Sequence, residues 1–289
     1  EPYEEFFSLV KHYVTEGDIS YPSYIHQCYV YLLALHYFEV KDYENSRNFF
    51  QTLDRYDLPI DIKARIEFNL LVILHHLNKR VHALKQAEKA LQLFFNNHLW
   101  EFIAETYNIL LGIYWRESDY IMALEYANKT LEIVNTHNLY EVKSRILHNL
   151  GVIYKSMKDY SKAIKYFEQS IDLKQKLGIS TKSSYWSILE IYTLLKDEKN
   201  FKLTLSKIDY EKEETIVFEI KFNPEKIPSL LENLINLAEK YQRMGKYPHA
   251  YEIYHELSKY YFNNRKYKFA AQFYQKELEI FNLMKGDVL

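Results

Sequence analysis

Two short strings, RIEFNL at 65–70 and RILHNL at 145–150, each set an arginine four residues before an asparagine. The asparagine carboxamide offers a donor and an acceptor side by side, which complements a peptide unit, and the arginine fork suits a carboxylate. Ordinary solvated helix faces tend to carry Glu and Lys at that interval. Asn236 falls in the same slot further on, with Arg243 beyond it, and Asn108 lies one residue early in the intervening segment. Arg65, Asn69, Asn108, Arg145, Asn149, Asn236 and Arg243 are therefore the candidate binding residues. The competing reading is that Asn is tolerated on a wet face and recurs through repeat ancestry alone.

Other chemistry finds little support. The eleven His are scattered, His75 and His76 are adjacent and so point to different faces, and no His-Glu-x-x-His pattern occurs. There is no Gly-rich phosphate loop and no Gly-x-Ser-x-Gly elbow. The single Cys28 excludes an internal disulfide or a Cys-based metal site, and on an apolar helix it reads as packing rather than as a nucleophile. Glu213 and Glu214 read as a solvated loop. The expectation is a binding protein without catalytic residues, metal or cofactor. A net charge of -2, with residues 1–60 acidic on balance, argues against a nucleic-acid surface. No apolar run approaches the roughly 18 residues of a spanning helix and no signal peptide stands out, so a reducing cytoplasm fits and no membrane contact is expected.

The elements that position these residues follow from composition and repetition. Only six Gly and six Pro stand among abundant Leu, Ile, Ala, Glu, Lys and 28 Tyr, which favours an all-α chain. SDYIMALEYANKTLEI (118–133) aligns without a gap on KDYSKAIKYFEQSIDL (158–173), a spacing of 40, and KRVHALKQAEKAL (79–91) keeps the same spacing. Earlier and later copies begin at 41, 199, 245 and 265. Each is preceded by a second amphipathic segment; in the clearest copy Leu147, Leu150, Gly151 and Tyr154 share one helical face, and Tyr160, Ala163, Phe167 and Ser170 share another. Small residues at 151 and 163 let two helices approach closely. Such a hairpin cannot bury its apolar face alone and must stack.

The order Leu-Gly, Tyr, Ala, Phe over residues 147–170 resembles the tetratricopeptide repeat, most specifically over 104–177. That resemblance implies a right-handed superhelix of stacked helical hairpins of about 40 residues. The expected organisation is an N-terminal helix or linker from a missing upstream segment at 1–21, a repeat array at 22–208, an irregular insertion or hinge at 209–228, and C-terminal repeat helices with a capping or dimerising helix at 229–289. Helices are expected near 3–16, 22–39, 42–55, 60–77, 80–95, 99–117, 120–136, 139–157, 160–177, 181–196, 199–208, 228–244, 247–262 and 266–284. Gly17, Gly178 and Gly245 suit left-handed helix ends, and Pro22 and Pro228 suit first turns. Trp115, Tyr185 and Trp186 are candidate apolar anchors for a ligand.

With Asn and Arg on the first helices and a Tyr-rich, Gly-poor composition, the chain also resembles the peptide-pheromone receptors of Gram-positive bacteria, the Rap, NprR, PlcR, Rgg and PrgX group. That resemblance implies a quorum-sensing regulatory domain that binds a short signalling oligopeptide in a concave groove, chiefly through Asn side chains. Binding would change conformation or oligomeric state to control a transcriptional or response-regulator output. It implies a homodimer through the C-terminal helices, and DNA contact only through an N-terminal domain that residues 1–21 cannot supply. The alternative is a general protein-interaction scaffold with no small peptide ligand.

Overall fold

The structure, a computed structural model, describes residues 23–208 and 212–286. These form helices α1 (Ser23–Glu39), α2 (Tyr43–Leu53), α3 (Ile60–His76), α4 (Arg80–Asn96), α5 (Trp100–Arg116), α6 (Tyr120–Thr136), α7 (Tyr140–Ser156) and α8 (Tyr160–Lys176). Then come α9 (Lys182–Leu195), α10 (Glu198–Leu205), α11 (Lys212–Phe222), a 3-10 turn (Pro224–Lys226), α12 (Ile227–Arg243), α13 (Tyr247–Asn263) and α14 (Tyr267–Gly286). No strand occurs among the described residues. The expected helix at 3–16, Gly17 and Pro22 lie outside them.

From α3 to α8 every helix is 17 residues long. Three-residue links join them, and the middle residue of each link is left-handed: Asn78, His98, Ser118, Asn138 and Lys158, with φ between 52° and 64°. Gly178 takes the same position after α8 with φ 68°. The link does two jobs. Asp159 N–H closes the end of α7 on the Tyr154 carbonyl at 2.9 Å, while its carboxylate accepts the Lys162 N–H at 3.2 Å and caps α8. Asp42, Asp119 and Asp197 cap α2, α6 and α10 in the same way. The recurring Asp in the KDY and SDY strings is thus a helix stop and a helix start at once.

The chain divides into two compact units, 1–113 and 114–289, with the division inside α5. In the first, Val30 and Ala34 of α1, Phe50 and Leu53 of α2, and Ile66 and Leu70 of α3 share one core. In the second, α7 and α8 run antiparallel: the Ser170 hydroxyl donates to the Ser144 carbonyl at 2.7 Å, and Tyr154 stacks on Tyr166. Gly151 lies on the Phe167 ring, where a Cβ would stand 2.6 Å from two ring carbons. This is the close approach expected from the small residues at 151 and 163.

The expected irregular insertion is helical over Lys212–Phe222. Its alternation of β-branched and aromatic residues with polar ones reflects a helix buried on two sides. Phe218 packs with Leu189 and Phe201, and Val217 and Ile220 pack with Ile227, Leu234 and Tyr254. Pro224 starts the turn that follows, and Pro228 sits in the first turn of α12 as expected. Of the aromatic set on α14, Phe273 and Ile280 are core, while Phe269, Tyr274, Leu278 and Phe281 are exposed. Cys28, expected in packing, is exposed.

Two predictions test this geometry. Gly151→Ala forces the Phe167 ring to move and should destabilise by about 1–3 kcal/mol. Gly112→Ala meets only His75 at 3.6 Å and should be neutral or stabilising; urea midpoints compare the two. Lys158→Gly relieves a left-handed lysine at φ 64° and should raise stability by about 1 kcal/mol in the same measurement.

Candidate functional site

The first helix of each hairpin turns one narrow line of residues to solvent. On α3 that line is Asp61, Arg65, Asn69, Val72 and His76, and on α7 it is Glu141, Arg145, Asn149, Val152 and Ser156. Both arginines are exposed and both asparagines half-buried, the arrangement expected if the amide rests on the helix surface and the guanidinium reaches outward. The Arg65 charge also acts on Tyr31 of α1, pulling its phenol down against the larger upward push of burial. On α5 the corresponding line holds Glu105 and Ile109. Asn108, half-buried one residue before Ile109, donates to Glu105 Oε2 at 3.4 Å. Asn236 and Arg243 are exposed on α12, where the Arg243 Nε–H donates to the Glu239 carbonyl at 3.4 Å.

The structure therefore brings Arg65 together with Asn69, and Arg145 with Asn149, on single helix faces. Of the proposed apolar anchors, Trp115 stays near such a face, its indole N–H donating to the Ser156 hydroxyl at 2.9 Å. Tyr185 is a correction: it is buried with Ala163, Phe167 and Ile188 because its ring fills the layer between α8 and α9. Trp186 is another. It packs against Phe218, ring centroids 4.2 Å apart, as part of the socket for α11.

Behind Arg145 lies a polar layer that reasoning from the sequence missed. His148 Nδ1 faces the Ser184 hydroxyl at 3.0 Å. Ser184 also bonds the Ser170 hydroxyl at 3.3 Å. The Lys174 ammonium donates to the Ser183 and Ser184 hydroxyls at 3.2 and 3.3 Å. Burial first, then the charges of Lys174 and Lys155, push His148 down to about 4. Lys174 is itself lowered by burial and by Arg145. The signal that could have found this layer is the 40-residue register: Lys174 stands where earlier copies have Phe94 and Val134. No group of three or more His, Cys, Asp or Glu among the described residues could hold a metal. No described helix is long and apolar enough to cross a membrane.

Residues 102–176 match the tetratricopeptide repeat family. No curated protein matches the chain. Among solved structures, it is similar to the apo form of the quorum sensor NprR from B. thuringiensis, with TM-score 0.74 and 16% identity over 96% of this chain and 81% of that one. It is also similar to a Rap protein complexed with competence and sporulation factor, with TM-score 0.67 and 14% identity over 97% and 81% of the two chains. Aspartyl phosphate phosphatase F from Bacillus subtilis gives TM-score 0.69 and 16% identity over 88% and 70%. At these identities the likeness is one of fold.

The repeat's buried histidine makes a pH prediction. Its native value near 4 lies below the 6.5 of a free histidine, so between those values the unfolded chain takes up a proton that the native state refuses. The contribution is whole above about 6.5, shrinks as pH falls, and is gone below about 4. By pH 5 it should amount to about 2 kcal/mol of lost stability. His148→Asn, which places in α7 the residue found at 108, should remove that share of the decline in denaturant midpoints between pH 7 and pH 5.

Proposed function

We propose that this chain is a regulatory peptide-binding domain. In this reading the amides of Asn69, Asn108, Asn149 and Asn236 hold the backbone of a short extended peptide, and Arg65, Arg145 and Arg243 pair with its carboxylates. Each amide bond adds on the order of 1 kcal/mol. Binding acts without catalysis, by shifting the population of conformations according to the ligand's differential affinity for them. The output is a transcriptional or response-regulator partner in the cytoplasm, and the exposed aromatic stripe of α14 pairs two copies of the chain.

The observation that carries this reading is the Arg-x-x-x-Asn pair set twice on the solvent line of a first helix, at 65/69 and 145/149. The fold is shared with a Rap protein whose structure holds competence and sporulation factor. A repeat scaffold that docks a protein helix is the second reading, favoured by a cleft of about 490 Å³ between α13 and α14, lined by Phe262, Tyr267, Ala270 and Tyr274.

A melting scan of the purified protein against a pool of short peptides separates the two. A sensor should gain several degrees from one sequence, since ligand at 100 times its Kd stabilises by about 2.7 kcal/mol. Asn149→Ala should abolish that gain without changing the ligand-free melting temperature by more than about 2 °C. A protein that no peptide stabilises is a scaffold, and the peptide reading is then wrong.

A further inference from the structure

Three charged side chains are buried among the described residues: Glu67, Lys174 and Glu277. Glu67 has a counter-ion, and Glu277 is hydrogen-bonded through both carboxylate oxygens. Glu67 accepts from Gln86 at 2.6 Å and pairs with Lys89 at 2.7 Å. Glu277 meets His255 and the Ser258 hydroxyl, each at 3.0 Å. Lys174 is different. It is 6% exposed, and among the described residues its ammonium meets the hydroxyls of Ser183 and Ser184 and no carboxylate. A buried cation without a counter-ion is costly, and such groups persist where something supplies the opposite charge.

The repeat register provides an internal control. The positions equivalent to Lys174 are Phe94 and Val134, both fully buried, and Phe94 packs on Phe102 of the following helix at 5.1 Å between ring centroids. The positions equivalent to Ser144 and Ser170 are Ala64 and Ala104, and Ala90 and Thr130. One layer of the stack has therefore exchanged an apolar filling for an ammonium and a set of hydroxyls. Stability does not explain the exchange, because the apolar version packs in the same register. The surroundings are electropositive as well. Arg145 acts on Lys174 as a like charge. Lys155 is already held by Glu190 at 2.6 Å. Ser183 and Ser184 lie in the first turn of α9, at the positive end of its dipole.

We infer that Lys174, Ser183 and Ser184, with Arg145 at the exposed edge, form a subsite for a carboxylate. The ammonium and the exposed Ser183 hydroxyl present donors to one oxygen or both, Ser184, whose own proton goes to Ser170, holds the ammonium in place, and the guanidinium supplies a second charged contact from the solvent side. The carboxylate's being carried by a peptide rests on the function proposed above; the subsite itself does not.

The test therefore uses small anions. Melting temperatures are measured in sodium acetate and in sodium phosphate against sodium chloride of equal ionic strength, for the wild type, Lys174→Met and Ser183→Ala. Acetate should raise the wild type by about 3 °C or more, with half-saturation about tenfold weaker in Ser183→Ala and no saturable rise in Lys174→Met. In chloride, Lys174→Met should melt at or above the wild type, since it removes an uncompensated buried charge. An equal acetate response in Lys174→Met overturns the proposal, as does a response to phosphate alone. A fall of several degrees for Lys174→Met in chloride assigns Lys174 a structural role and also overturns it. If acetate stabilises but no peptide does, the subsite stands and the peptide reading fails.

Discussion

The structure depends on a backbone constraint, the left-handed residue at the centre of each three-residue link. A helix that ends in this conformation turns its carbonyls onto the next two N–H groups, and where the following residue is Asp119 or Asp159 its carboxylate caps the next helix. Because the links from α3 to α8 have one length, and the helices between them have another, the chain advances in steps of 20 residues. Side chains 40 apart therefore occupy equivalent places on their own hairpins. That is why Gly151 and Phe167, Ser144 and Ser170, and Arg145 and Asn149 can be compared with residues earlier in the chain as positions of one sequence register.

The positions diverge where chemistry differs. Phe94, Val134 and Lys174 are equivalent by register and unlike by polarity, and Phe68, Asn108 and His148 form a second such series. A stack of hairpins tolerates this because each layer is packed against its neighbours only. One layer can be made polar while those on either side stay apolar. His148 illustrates the result: held against Ser184 among cations, it remains neutral to low pH and so adds no further positive charge beside Lys174.

Much of the fold was legible in the sequence. The gapless alignment of 118–133 on 158–173 set the period, Gly178, Gly245 and Pro228 marked ends and starts, and the solvent line through Arg145 and Asn149 followed from 100° per residue. The misses have physical causes. The segment at 209–228 reads as irregular because its helix, Lys212–Phe222, is buried on two sides and loses the one-sided periodicity by which helices are recognised. Tyr185 suggests a ligand anchor because aromatic type alone does not say which side of α9 faces a neighbouring helix. Lys174 is not distinguishable by residue type from the solvated lysines around it; its core position shows only against Phe94 and Val134 in the 40-residue register.

The two-sided helix α11 also bears on how this part of the chain assembles. Phe218 needs Trp186 and Phe201, whereas Val217 and Ile220 need α12 and α13, and neither face is satisfied by the segment itself. It can order only after the bodies on both sides of it exist, and it must yield when either loosens. Such an element links two cores into one cooperative folding unit, so that local opening near α9 is felt by the C-terminal helices through loss of a shared wedge.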